Sequence, residues 1–346
     1  VRDVSGVQVT YVGANWSELE FMRYTRRTEL DEVLNSYDAV VGVFGTPAQC
    51  LMLRSLRVPH IAKIATLVSL ERRQLLRSLT GLRRLAATLN LLIAERLDKK
   101  GLYIPQHLMV INDWMFKYCG DRVGARVELA PPGIDTDLYV PYKHHSADRS
   151  PAEAALPKIA PYFLFVGRLA DPRKDIKSLL RSYKIAREKF GLTQKLVLAG
   201  RGDIQPDEYE LIAQLQLQDE VEIHRDVSPT SLPGLYQAAD VFVLASAEEG
   251  LGIVLLEAMS SGIPVVSSAT EGARYAVGDD EVGTLVEFGP DFTETFAASL
   301  AMWATDPAAR ERAGLKGRER VLSRFSFQAA GEKYLSALAV TYDRVS

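Results

Sequence analysis

After residue 160 the chain alternates short apolar runs with stretches of helical spacing. The runs are Tyr162–Val166, Lys195–Ala199, Val221–His224, Val241–Ser246, Pro264–Ser268 and Thr284–Phe288. A run that does not alternate apolar with polar is a strand covered on both faces, and helices between such runs make the sheet parallel. Right-handed crossovers then predict a doubly wound, Rossmann-like α/β domain. A second domain of the same kind is predicted upstream from Val7–Val12, Ala39–Val43, His60–Ile64, Leu108–Ile111 and Val127–Ala130. Residues 143–159 between them are polar, carry Pro151 and Pro157 and have no apolar period, as a linker requires. Two such domains are expected to face a cleft at the carboxyl ends of their strands.

Composition narrows the class. The 346 residues are 47% hydrophobic and 25% charged, the balance of a soluble globular protein of two ordinary domains. No run reaches the roughly 18 apolar residues of a membrane span, and the residues from Val1 onward are not expected to be a signal peptide. Cys50 and Cys119 alone do not make a disulfide scaffold, so a reducing, cytoplasmic compartment is expected. The net charge of −3 gives no reason to expect a nucleic-acid partner.

One helical segment has its own charge pattern. Leu75, Leu79, Leu82, Ala86, Leu89 and Ile93 repeat at helical spacing, while Arg72, Arg73, Arg77, Arg83 and Arg84 share the other side. A core-facing helix with a solvated basic face explains this. The alternative is peripheral contact, by residues 70–100, with anionic lipid at the inner face of the membrane or with a phosphorylated acceptor. Thr80-Gly81 is a potential break in that helix.

Chemistry concentrates at the ends of the second set of strands. Tyr162–Val166 runs into Gly167-Arg168-Leu169 with Lys174 beyond, a glycine that admits a ligand to the backbone beside two cations suited to a diphosphate. Lys195–Ala199 ends in Gly200-Arg201-Gly202-Asp203, weak evidence by itself. The loop Arg225-Asp226-Val227 lies where a base could be held. After Val241–Ser246, Glu249-Gly250-Leu251-Gly252-Ile253 opens a helix that carries Glu257. Unpaired N–H groups at such a helix start collect anions. Glu257 is placed to accept from vicinal ribose hydroxyls, and Glu249 to address a sugar or set the amides of Gly250, Leu251 and Gly252. Phosphate beside hydroxyls points to a nucleotide sugar. No His/Cys cluster with metal-ligand spacing is present in the sequence, and neither metal nor cofactor is expected.

These segments, with Leu198-Ala199-Gly200, Leu235-Tyr236-Gln237-Ala238-Ala239-Asp240, Glu257-Ala258-Met259, Gly262-Ile263-Pro264-Val265-Val266 and Arg324-Phe325-Ser326, occur in one order over residues 160–346. The chain resembles retaining glycosyltransferases of the GT-B fold, family 4. In the first domain the likeness is confined to Pro132-Gly133-Ile134-Asp135. The resemblance implies a nucleoside-diphosphate sugar, UDP by family frequency, on a C-terminal domain of residues 160–326. It implies a last helix, 327–346, crossing back to an acceptor-side domain of residues 1–142. It places Arg168 and Lys174 on the diphosphate, Glu257 on the ribose, and Glu249 with the amides that follow at the sugar and phosphates. Gly167, Gly200, Arg225, Val227 and Ile253 complete the expected donor contacts, and Glu249, Arg168 and Lys174 the catalytic set. The implied reaction is front-face attack by a hydroxyl of a saccharide, lipid-linked or small-molecule acceptor.

The chain departs from that pattern in four places. Asp175 and Arg225 stand where glycine is usual, and Ile64-Ala65-Thr66-Leu67 occupies the usual place of a histidine. The glycine-rich loop after the first strand is missing, as expected of a chain without its beginning or of a reduced first domain. Alternative readings are therefore a catalytically reduced nucleotide-sugar-binding or scaffold relative and a GT-B sugar-nucleotide epimerase. His60, His107, His144 and His145 are expected to be structural or solvated.

Overall fold

The computed structural model describes residues 2–4, 7–12, 22, 24–70, 80–142, 161–278 and 281–343. The chain divides into two compact units, one of residues 1–131 with 332–346 and one of residues 132–331. The expected boundary, 143–159, lies outside the described residues, and the segment 132–142 groups with the second unit rather than the first.

The second unit is built on six parallel strands, β7 (Tyr162–Arg168), β8 (Lys195–Arg201), β9 (Val221–Arg225), β10 (Val241–Leu244), β11 (Val265–Ser268) and β12 (Gly283–Val286). Their order across the sheet is β12-β11-β10-β7-β8-β9, with every neighbouring pair parallel. This is the doubly wound Rossmann order, and it reverses between β7 and β10. Tyr162 to Val166 are all buried, which is why that run shows no polar alternation. Helices α4 (Ile176–Phe190), α5 (Pro206–Gln214), α6 (Leu232–Ala238), α7 (Ile253–Ser260), α8 (Glu271–Val277), α9 (Phe292–Thr305) and α10 (Pro307–Arg324) connect or follow the strands. All six expected strands are present, and β7 and β8 each run on through the glycine and arginine that were read as their loops.

The first unit has four parallel strands in sequence order, β3 (Val40–Phe44), β4 (His60–Ile64), β5 (His107–Val110) and β6 (Val127–Leu129). Helices α1 (Thr28–Leu34), α2 (Gly81–Gly101) and α3 (Asp113–Val123) accompany them. One sheet face packs on Cys50, Met115 and Cys119. On the other, Ile61, Met109 and Ala130 cluster with Ala337 of the last helix, α11 (Phe327–Asp343). Both cysteines are buried and unbridged. His60 is buried with its ring nitrogens on the carbonyls of Val58 and Ile104, and His107 sits 3.4 Å from Glu128. Asp98 is buried too, its carboxylate accepting from Ala48 N and Val68 N, 2.9 Å each.

Two expectations fail in this unit. Val7–Val12 is not a strand of the parallel sheet: β2 (Val7–Val9) pairs antiparallel with β1 (Arg2–Val4) as a separate hairpin. The paired ends Val4 and Val7 are only three positions apart in the chain, and so short a separation favours the local partner. The basic helix also differs. It starts at Gly81, whose φ is +57°, with Thr80 at the cap, and residues 71–79 lie outside the described residues. Its buried face is Leu91, Ala94 and Asp98, whereas Leu85, Leu89 and Leu92 are 59%, 54% and 46% exposed. Amphipathic spacing measures only that one stripe is apolar, and here an apolar stripe faces outward.

Candidate donor site

Because the six strands are parallel, their carboxyl ends share one edge, and the sequence-predicted residues collect there. At the tip of β7, Gly167 lies beside the Lys174 stem: a Cβ on Gly167 would sit 3.4 Å from Lys174 Cε and 3.0 Å from the Phe165 ring. Lys174 Nζ is 2.6 Å from Glu249 Oε1, and the side chains are only 13% and 11% exposed. The pair therefore joins the loops after β7 and β10, the two strands that flank the order reversal. Ala247 N donates to Arg173 O at 2.8 Å and fastens the same two loops through the backbone.

Arg168 is exposed and reaches Asp171, Nη2 to Oδ2 2.7 Å. Asp171 also takes Arg173 Nε at 3.1 Å and Nη2 at 2.8 Å. Burial opposes the charge on Asp171, but the Arg173 hydrogen bonds and both guanidinium charges outweigh it and hold the carboxyl below its ordinary pKa. Asp175 explains its own departure. It adopts a left-handed conformation, φ +46° and ψ +50°, that glycine enters without penalty and aspartate tolerates. Its carboxylate turns to cap α4 on Ser178 N at 3.3 Å.

On the other side, Gly200 pairs with Gly167 in β7·β8 and with Arg225 in β8·β9. A Cβ there would fall 1.8 Å from Gly167 O, so only glycine fits this crossing. Val227 N donates to Gly200 O at 3.4 Å, and Asp226, at φ +50°, accepts from Gly202 N at 2.9 Å. Arg225 is drawn to Asp203, Nε to Oδ2 2.7 Å, and to the Tyr209 hydroxyl. The cation that replaces glycine is thus tied to the Gly-Arg-Gly-Asp loop of β8.

The loop after β10 closes with Gly252 at φ +74° capping α7 and Leu255 N on its carbonyl at 2.8 Å. Leu251 is buried and Ile253 exposed. Gly272 N donates to Glu249 O at 3.2 Å, and a Cβ on Gly272 would meet Glu249 O, Gly250 C and Leu251 N within 2.6 Å. The loop that carries Glu249 therefore lies directly on the start of α8.

Glu257, in the middle of α7, has partners that sequence reasoning missed. Tyr236 Oη donates to Glu257 Oε2 at 2.7 Å from a fully buried ring. Tyr139 brings a second phenol near the same carboxyl, and the two tyrosine rings meet edge to face at 5.6 Å. Burial pushes the Glu257 carboxyl above its ordinary pKa, and the two phenol bonds work against that rise. Tyr236 lay within a motif without a role assigned, and nothing local to Tyr139 signals this contact.

Residues 146–320 match the model of the family described as glycosyl transferases group 1. The chain belongs to that family. This group 1 chain is 33% identical over 225 residues to a D-inositol 3-phosphate glycosyltransferase of Kineococcus radiotolerans, an alignment covering 61% of the chain and 51% of that relative. It spans about half the length of the curated relatives it matches. Among solved structures it is similar to sucrose-phosphate synthase from Thermosynechococcus elongatus, with TM-score 0.69 and 23% identity over 96% of this chain and 81% of that one. It is also similar to Anabaena HepE in complex with UDP and glucose, with TM-score 0.70 and 17% identity over 90% and 80%. These likenesses show the GT-B fold, two Rossmann-like domains, for a group 1 chain. Among the described residues, no group of three or more His, Cys, Asp or Glu is arranged to hold a metal ion, and no helix is long and apolar enough to cross a membrane.

Proposed function

We propose that this chain is a metal-independent, retaining glycosyltransferase of family 4 that moves a sugar from a nucleoside-diphosphate sugar, first of all a UDP-sugar, to a hydroxyl acceptor. The observation that carries the reading is the Lys174–Glu249 pair at the strand-order reversal, where ligands of open α/β sheets bind. Arg168, Lys174 and the amides that open α7 are cations and dipoles suited to the charge growing on a departing diphosphate. Glu257 supplies a carboxylate for the ribose hydroxyls. Acceptor attack on the face the diphosphate leaves, with its proton passing to the leaving phosphate, needs no enzymic nucleophile.

Family membership and the UDP held by the Anabaena neighbour support the donor class. The names of the curated relatives favour an inositol-phosphate-like polyol as acceptor. The outward Leu85, Leu89 and Leu92 stripe, with exposed Arg83, Arg84 and Arg96, supports peripheral contact with an anionic membrane surface. An inner-face, cytoplasmic setting belongs to the same proposal.

Calorimetric titration with UDP-, GDP- and ADP-sugars tests the donor. Product NMR with D-inositol 3-phosphate as acceptor tests transfer and the retained anomer. Failure of the protein to bind any nucleotide sugar would sink the reading. Sugar changed without added acceptor would indicate an epimerase, and binding without transfer a scaffold.

A further inference from the structure

We propose that Tyr236 and Tyr139 are positioning residues for the donor: their two hydroxyls fix the Glu257 carboxylate from behind, leaving its remaining lone pairs to accept from the ribose hydroxyls. The inference rests on the proposed donor site and adds to it how the ribose acceptor is built.

An ionised carboxylate accepts at about four lone-pair sites and donates at none. One of those sites on Glu257 is taken by the 2.7 Å bond from Tyr236, and Tyr139, packed edge to face on Tyr236, brings a second phenol to the same carboxyl. A phenol can hold the carboxylate only while it keeps its proton. Burial, the nearby Glu257 charge and the hydrogen bond all push the Tyr236 and Tyr139 hydroxyls upward in pKa, so both remain donors throughout the accessible pH range. The arrangement has a second effect. Burial favours a protonated, neutral Glu257, which would offer an O–H where the ribose diol needs acceptors. The phenols stabilise the anion and keep the group an acceptor.

Both tyrosines are themselves held. Tyr236 packs between Tyr139 at 5.6 Å and Phe242 at 5.6 Å. Tyr139 comes from the segment 132–142, far from the donor motifs in sequence. Its carbonyl accepts from Ser260 Oγ at 2.7 Å and from Arg318 Nη1 at 2.9 Å. Ser260 lies one turn beyond Glu257 on α7, and Arg318 also donates to Ser260 O at 2.6 Å. Tyr139 and Glu257 are thus referenced to one helix, which preserves their spacing. Upstream, Ile134 bridges Ser326, with Ile134 N on Phe325 O at 2.8 Å, so the segment is anchored at both ends within its unit.

The test compares binding by the full chain of UDP, GDP and ADP with that of the 2′-deoxy form of whichever binds, over pH 5 to 8, for the wild type, Tyr236→Phe and Tyr139→Phe. The wild type is expected to prefer the ribonucleotide on the order of tenfold. Each variant should lose several-fold of that preference while binding the deoxy form unchanged. The acid limb of ribonucleotide affinity should move to higher pH in each variant. Should Tyr236→Phe fail to fold, Tyr139→Phe, at the edge of the buried cluster, carries the same expectation. Variants that weaken both ligands equally, or leave both the preference and the pH limb in place, overturn the positioning role and leave the donor site intact. A wild type that binds without ribose preference does the same. A wild type that binds none of the nucleotides removes the donor site and this inference with it.

Discussion

Lys174 Nζ lies 2.6 Å from Glu249 Oε1, and the pair spans the two strand ends where the sheet order reverses. An ion pair this far removed from solvent is more sensitive to losing one partner than its net contribution suggests, since the remaining charge is left uncompensated. A diphosphate entering the site would compete with Glu249 for Lys174. The two alanine variants should therefore part in opposite directions. Lys174→Ala is expected to weaken nucleoside-diphosphate binding by about tenfold or more. Glu249→Ala should bind the diphosphate at least as tightly as the wild type while turnover falls steeply. Calorimetry beside initial rates decides it; unchanged affinity in Lys174→Ala would remove that lysine from the diphosphate.

Gly272 sets the position of the Glu249 loop. A methyl group there meets three backbone atoms within 2.6 Å, none of which can rotate away. Gly272→Ala should cost about 1–3 kcal/mol of stability, as overpacking does, and weaken nucleotide binding as the loop shifts. Gly331→Ala in α11 is the control, since nothing lies within 4 Å of its Cβ position. Its melting temperature should stay or rise. Equal melting temperatures for both variants would contradict the crowding.

Lys63 gives the first unit a pH signature. It is 5% exposed in β4, with Nζ 4.9 Å from the Tyr334 ring centre, and burial lowers its pKa from 10.5 to about 8. Between those values the unfolded chain binds the proton that the folded chain has released, so stability rises with pH from about 8 to 10.5. The gain that is lost as pH falls amounts to about 3 kcal/mol at most. Lys63→Met should raise the melting temperature below pH 8, with the advantage shrinking toward pH 10.5. Parallel wild-type and variant profiles across that window would disprove the shift.

Helix α2 turns Leu85, Leu89 and Leu92 outward beside Arg83, Arg84 and Arg96. Binding to vesicles rich in anionic lipid should exceed binding to neutral vesicles and fall as salt rises. Leu85→Asp with Leu89→Asp should abolish it without lowering soluble-donor affinity. Vesicle binding indifferent to lipid charge, to salt or to these substitutions would rule the surface out.

Part of the candidate site was legible because its signals are local. Strand β7 ends in Gly167-Arg168, Gly200 follows an apolar run, and Gly252 stands where a helix must start, each a contiguous pattern with one physical meaning. The departures were legible as letters and not as geometry. Asp175 could be read as an unwelcome charge, yet its left-handed backbone turns the carboxylate into a cap for α4. Arg225 could be read as a ligand, and the structure ties it to Asp203.

The sequence by itself determined the six strands of the second domain, the parallel sense of the main sheet in each domain and the edge at which the candidate site residues gather. Burial on both faces leaves its mark on every residue of a central run such as Tyr162–Val166, and parallel strands put all their ends on one side. Only the tertiary structure decided which polar groups meet. Lys174 and Glu249 are 75 residues apart, Tyr236 and Glu257 are 21 apart, and Tyr139 reaches the same carboxylate from beyond the linker. It also decided that an apolar stripe of α2 faces outward and that β2 pairs with β1. Pairing of this kind depends on which surfaces the fold brings together, and apolar spacing along one element carries no information about its partner.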